Sequence, residues 1–261
     1  METTKSGNAI VFIHGLFSTP SIWSDWMEFF KKKGYSCHSP AYPFHQGHPA
    51  DLRKSIDPNL RKLTFGQVTR SLIGFIEKLS EKPILVGHSM GGLLVQKLVE
   101  QNMAVAGICI DTAPPKGISC YKWSFLKSVL PMINPLKGDS VFLPSVAWFR
   151  YAICNTLTLE QARLEYDKGV VPASRNIARS AQSTDDGLID SKKPHNPLLF
   201  IAGEKDHIIP SSLNRKNFEA YTDEKSKTDF REFEGRTHYT LRQPGWEEVA
   251  GYAEEWISRL Q

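Results

Sequence analysis

The feature that most constrains this chain is a serine bracketed by glycines at the end of an apolar run. Ile84-Leu85-Val86 leads into Gly87-His88-Ser89-Met90-Gly91-Gly92, and a helix-compatible segment, Leu93–Glu100, follows. Small residues at Gly87 and Gly91 suit a chain that turns sharply from strand to helix, holding the serine in a strained conformation with its hydroxyl exposed. The following helix would direct its N-terminal dipole and unpaired N–H groups at the place where an oxyanion could form. Such a turn presupposes a buried strand with a helix laid over it, as in a parallel sheet covered on both faces.

The rest of the chain supplies that sheet. Strand-length apolar runs occur at Ala9–Ile13, Ser36–Ser39, Pro83–Val86, Val105–Ile110, Leu198–Ala202 and Asp229–Phe233, with helical segments at Ser21–Lys33, Phe65–Leu79, Met90–Gln101 and Glu247–Leu260. The alternation predicts an α/β fold: a doubly wound, mainly parallel sheet of about six strands. Between Thr112 and Pro197 no strand pattern is found, and the helical patterns are short and aromatic, as in Tyr121–Val129 and Val146–Cys154. A structureless loop of that length is improbable in a compact domain. Residues 115–194 therefore read as an inserted helical cap between two parts of the core, 1–114 and 195–261, with an extra helical layer on the core as the other reading. Phe44–Leu63, polar and rich in His, Arg and Pro, reads as a long surface loop.

Composition narrows the class. With 41% hydrophobic and 23% charged residues the chain can bury a substantial core. Its net charge of +4 is scattered, with only Lys31-Lys32-Lys33 as a run. That run closes a helix before Gly34, where cations are favoured, so no nucleic-acid footprint is expected. Cys37, Cys109, Cys120 and Cys154 show no CxxC pairing and read as free thiols in a reducing compartment. The opening residues carry no apolar signal segment, and no run of about 18 apolar residues occurs, so a cytoplasmic protein without a membrane span is expected. A homodimer is left open.

The strand, the Gly-His-Ser-Met-Gly turn and the helix together resemble the α/β-hydrolase superfamily, of the serine esterase and lipase type. That resemblance implies a triad in the order Ser, Asp or Glu, His. Ser89 takes the nucleophile position. The stretch Gly203-Glu204-Lys205-Asp206-His207-Ile208-Ile209-Pro210 is similar to the family's acid turn and puts Asp206 in the acid position. Gly235-Arg236-Thr237-His238, after the last strand, puts His238 in the base position. His14-Gly15-Leu16 resembles the family's His-Gly loop, so Leu16 and Met90 would donate the oxyanion-hole N–H groups. Asp111, after the strand Val105–Ile110, is the rival acid, and Glu204 a distant third.

The physical logic holds apart from the family. A serine hydroxyl is a poor nucleophile until an imidazole accepts its proton, and a buried carboxylate fixes that imidazole's tautomer. His88 and His207 flank candidate catalytic positions and should point away from them as structural histidines. His45 and His48 read as solvent-exposed loop residues rather than metal ligands. Phe17, Trp148, Phe149 and Tyr239 are candidate pocket residues, with core packing as the alternative. The expected activity is hydrolysis of a carboxylic ester, thioester, lactone or amide of a small molecule through an acyl-enzyme, with no cofactor and no metal. The alternatives are a triad-retaining small-molecule receptor with slow or no turnover, a non-hydrolytic activity such as a perhydrolase, C–C hydrolase or hydroxynitrile lyase, and a partner-binding role with a vestigial site.

Overall fold

A computed structural model describes residues 8–260. In chain order its first part runs β1 (Ala9–Ile13), α1 (Ser24–Lys32), β2 (Ser36–His38), α2 (Pro49–Lys54), α3 (Phe65–Ile76), β3 (Ile84–His88), α4 (Met90–Glu100) and β4 (Ala106–Ile110). The middle part holds α5 (Trp123–Ile133), β5 (Val141–Phe142), α6 (Val146–Ala152), α7 (Leu159–Gly169), β6 (Ala173–Ser174) and α8 (Arg175–Ser183). The last part is β7 (Leu198–Gly203), α9 (Ser211–Glu219), β8 (Thr228–Phe233) and α10 (Trp246–Ser258).

Six strands form one parallel sheet in the order β2-β1-β3-β4-β7-β8. Strand side chains alternate between faces, so β1 sends Val11 and Ile13 into one apolar cluster and Ile10 and Phe12 into the other. The Ile10 face is covered by the turn ending at Trp23, by α1 and by α10 through Trp23, Trp26, Phe30, Val249, Ala253 and Ile257. Burying each such large side chain contributes roughly 1.5–3 kcal/mol. The Val11 face is covered by α3, α4 and α9 through Val68, Leu72, Leu93, Leu98 and Leu213. α3 starts cleanly because Thr64 and Gln67 form a capping box, a device that stabilises a helix by about 1 kcal/mol.

Three expectations need correction. Residues 44–63 are not an open loop: α2 and a 3-10 turn at Leu60–Lys62 lie there, with Pro49, Leu60 and Leu63 buried. The polar residues that suggested a loop have specific hydrogen-bond partners, some local and some far along the chain. His48 Nδ1 caps α2 by accepting from Ala50 N, and the Arg53 guanidinium donates to Asp167 O and Val170 O at the end of α7. His45 is buried, its Nε2 bonded to Pro172 O at 3.1 Å, and only His48 is exposed. The middle segment is also not purely helical, since β5 and β6 pair antiparallel. α8 joins the core directly, with Ile177, Ala178 and Ala181 in the Val11-side cluster and Ser180 Oγ accepting from Phe65 N at 2.9 Å.

All four cysteines are free. Among the described residues, no helix is long and apolar enough to cross a membrane.

Candidate active site

Ser89 sits between β3 and α4 at φ 59° and ψ −121°, a region that costs a non-glycine residue about 1–3 kcal/mol. Hydrogen bonds hold it there: Ser89 N donates to Ile110 O at 2.9 Å, and Ser89 O accepts from Gly92 N and Ala113 N at 3.0 and 2.9 Å. Glycine is required on both sides, because a Cβ on Gly87 would overlap the Gly91 carbonyl and one on Gly91 would overlap the Ile13 carbonyl. Met90 is the first residue of α4, so its N–H is one of the donors a helix leaves unpaired at its start.

The loop after β1 is held from beneath. His14 is fully buried; its Nδ1–H donates to Gly15 O at 2.7 Å while Nε2 accepts from Tyr42 N at 3.3 Å. The Tyr42 hydroxyl donates to His14 O, and the two rings pack 3.9 Å apart. Burial, aided by the neighbouring His45, pushes the His14 pKa down to about 3. His14 is therefore a neutral strut that sets the backbone carrying Leu16.

His238, after β8, meets Asp206, after β7. Nδ1–H of His238 donates to Asp206 Oδ2 at 2.6 Å, and Asp206 Oδ1 accepts from Ile209 N at 2.8 Å. Both Asp206 oxygens are thus used, and Nε2 of His238 is left for another partner. Burial pushes the His238 pKa down, but the charge and hydrogen bond of Asp206, with Asp111 beyond it, outweigh that and hold it above the ordinary histidine value.

Asp111 lies in the same buried cluster with a different partner, its Oδ1 accepting from Gly203 N at 2.7 Å. Burial first, and then the charge of Asp206, push its carboxyl up to about 7. Of the two aspartates, Asp206 has the hydrogen bond to the imidazole. Glu204 faces outward, its carboxylate taken by Lys205 and Gly235 N.

The flanking histidines divide. His207 is structural, with Nδ1 donating to Tyr151 O at 2.9 Å. His88 does not point away from the site: Nε2–H donates to His238 O at 2.9 Å and its ring lies 4.6 Å from the His238 ring. Burial and the charge of His238 hold the His88 pKa well below its usual value, so it adds no second cation. His88, Asp111 and His238 place possible ligand atoms within 4.8 Å of one another. With the cluster's one carboxylate readily protonated, they make a poor cation site.

With the strained serine, the imidazole–carboxylate pair and the parallel sheet in place, the comparisons with known proteins can be read. The alpha/beta hydrolase family profile matches residues 10–251. The chain belongs to that family. No curated protein matches it. Among solved α/β-hydrolase structures it is similar to the Paleococcus ferrophilus monoacylglycerol lipase, at 21% identity and a TM-score of 0.69 over 97% of this chain and 95% of that one. It is also similar to the Arabidopsis methylesterase MES16, at 19% identity and a TM-score of 0.69 over 96% and 98% of the two chains. A pyrethroid hydrolase from Sphingobium faniae JZ-2 matches at 14% identity and a TM-score of 0.69 over 97% and 98%. At these identities the likeness is one of fold.

Within this α/β-hydrolase, Ser89 opens onto two cavities. The smaller, about 70 Å³, is shared with His238, His88, Phe149 and Tyr239; the larger, about 280 Å³, with Met90 and a wall from α5. Leu16 and Phe17 border both. Trp148 stands behind Phe17, edge to face at 5.5 Å, with its indole N–H donating to Ser128 O at 3.1 Å, so it buttresses the wall. Sequence reading missed Glu165 and Arg242 at the smaller cavity and the α5 wall of the larger. Glu165 accepts from the Tyr239 hydroxyl, a pairing across 74 residues that no local signal announces.

Proposed function

We propose that this α/β-hydrolase is a serine ester hydrolase, with Ser89 as nucleophile, His238 as base and Asp206 as the orienting carboxylate. The observation that carries the reading is the 2.6 Å His238–Asp206 hydrogen bond beside a strained Ser89 that borders the same cavity as His238. His238 Nε2 takes the Ser89 proton as Oγ bonds to the substrate carbonyl carbon, and Leu16 and Met90 N–H groups receive the developing oxyanion. Collapse breaks the bond to the leaving alcohol, which takes the proton from His238. Water then attacks the acyl-enzyme with His238 as base, releasing acid and free Ser89. Residues 115–194 act as the cap that closes both cavities from above, and the free thiols support a reducing, cytoplasmic setting. The test is an active-site fluorophosphonate followed by peptide mapping. Modification of Ser89 alone is the expected result; a different modified serine, or none, overturns the assignment.

A further inference from the structure

Two cavities meet at Ser89, and their chemistry differs. The larger runs from Ser89 and Met90 under α5, bounded by Phe125, Leu126, Val129 and Ile133, with Ala178 of α8 and Ile209 across from them. Apart from Ser89, the polar side chains among its lining residues are Ser119 and Gln182, and Gln182 already donates to Pro114 O at 2.8 Å. No Asp, Glu, Lys, Arg or His lines it. The smaller cavity lies on the His238 side and has the ionisable side chains of Glu165 and Arg242 in an otherwise largely apolar lining.

The position of the imidazole assigns the occupants. The base that takes the serine proton must hand it to the leaving group, so the alcohol lies on the His238 side. The carbonyl oxygen faces the Leu16 and Met90 N–H groups. The acyl substituent is left with the space on the far side of Ser89 from His238, where the larger cavity begins. The larger cavity offers about 280 Å³ against about 70 Å³ for the smaller, so the longer chain of a substrate is accommodated on the α5 side. A charged end on the acyl chain would be buried without a counter-ion, at a cost that excludes it.

Resting on the serine-hydrolase reading above, we propose that the substrate is an ester of an uncharged aliphatic acid with an alcohol smaller than the acyl chain, the acyl chain lying under α5. Selection of the acid and selection of the alcohol are thereby separate, one by the larger cavity under α5 and the other by the smaller cavity beside His238.

Isomeric esters test this without any change to the protein. Methyl octanoate and heptyl acetate have the same composition and differ in which side of the carbonyl carries the chain. The expected kcat/KM for methyl octanoate exceeds that for heptyl acetate, and that for methyl acetate, by at least about 100-fold. Equal rates for the isomers, or preference for heptyl acetate, overturn the proposal. Val129→Trp should lower the methyl octanoate to methyl acetate ratio at least about tenfold, and Ala178→Phe does the same from the opposite wall if the first variant is misfolded. A ratio unchanged in a folded variant also overturns it. Failure of Ser89 labelling together with no hydrolysis of any of these esters defeats the hydrolase reading and this assignment with it; labelling with the wrong ester preference defeats this assignment alone.

Discussion

The floor and the roof of the two cavities present different chemistry to the space at Ser89: hydrogen-bonded polar groups below, mainly apolar side chains above. In the floor, Ser89, His14, Asp206 and Asp111 are each tied to backbone groups, Ser89 and Asp111 to a neighbouring strand and His14 and Asp206 within their own turns, at 2.7–2.9 Å. In the roof, Phe17, Phe142 and Trp148 meet edge to face at 5.3–5.6 Å, and α5 with its flanks leaves Tyr121, Trp123, Leu130 and Leu136 exposed. Hydrogen bonds are directional and weaken steeply off their axis, so they hold atoms at the separations proton transfer needs. Apolar contacts are not directional and fix volume rather than position. The difference teaches that changes below the cavities should alter chemistry, and changes above should alter which substrate is accepted.

The largest expected break of that contrast is Ser89→Ala, which should lower kcat by roughly 10⁶-fold with the fold intact, because the nucleophile is removed. Steady-state kinetics with a thermal melt check it. Next, Asp206→Asn keeps size but loses the charge and the correct imidazole tautomer, so kcat should fall by about 10³–10⁴-fold. Asp111→Asn, whose Oδ1 contact to Gly203 N an amide oxygen can keep, should cost less than about tenfold. Reversed sensitivities would make Asp111 the acid.

A subtler test uses pH. Activity needs neutral His238, so kcat/KM should rise with pH through the His238 pKa, and Asp206 holds that value above the usual one of about 6.5. In Asp206→Asn the residual activity should therefore reach its plateau at lower pH. A limb that stays in place would show that the charge of Asp206 does not act on the base. The sign for stability follows the same shift: a raised histidine pKa contributes stability that is present below the unfolded value of about 6.5 and lost as pH climbs through the folded one.

The smallest effect separates floor from roof with matched substitutions. Thr64 and Thr158 head α3 and α7 with the same capping box, Thr-x-x-Gln. Replacement of either by Ala should cost its helix about 1 kcal/mol. In Thr64→Ala the loss should be read as lower global stability, since α3 is packed in the core. In Thr158→Ala it should emerge as local opening near α7 and a raised KM, because α7 carries Glu165. Hydrogen exchange resolved by peptide distinguishes the two, and equal loss of global stability in both would show floor and roof to be one cooperative unit.

Much of the floor is legible in sequence. Gly87-His88-Ser89-Met90-Gly91 announces its turn because only glycine tolerates those close approaches, and the near-continuous apolar runs announce β1, β3, β4 and β7. The strand Val105–Ile110 begins one residue late, at Ala106, as Val105 is 40% exposed at the strand's mouth. Illegible were the burial of His45, the helix in residues 44–63 and the contact of His88 with His238. Each depends on a partner far along the chain, such as Pro172 for His45 or Val170 for Arg53. Polar residues read as exposed when their distant partners cannot be seen.

By itself, then, the sequence determined the order of the six sheet strands, the strained turn at Ser89 and the two late turns that present Asp206 and His238. Those are local properties, set by side-chain period, glycine tolerance and turn chemistry within a few residues. Only the tertiary structure decided which aspartate reaches the imidazole, that the space beside Ser89 divides into a larger cavity without ionisable side chains and a smaller one that has them, and that Glu165 faces Tyr239. These depend on where side chains from segments up to a hundred or so residues apart converge, and the two aspartates differ by the partner each finds there: Gly203 N–H for Asp111, the imidazole N–H for Asp206.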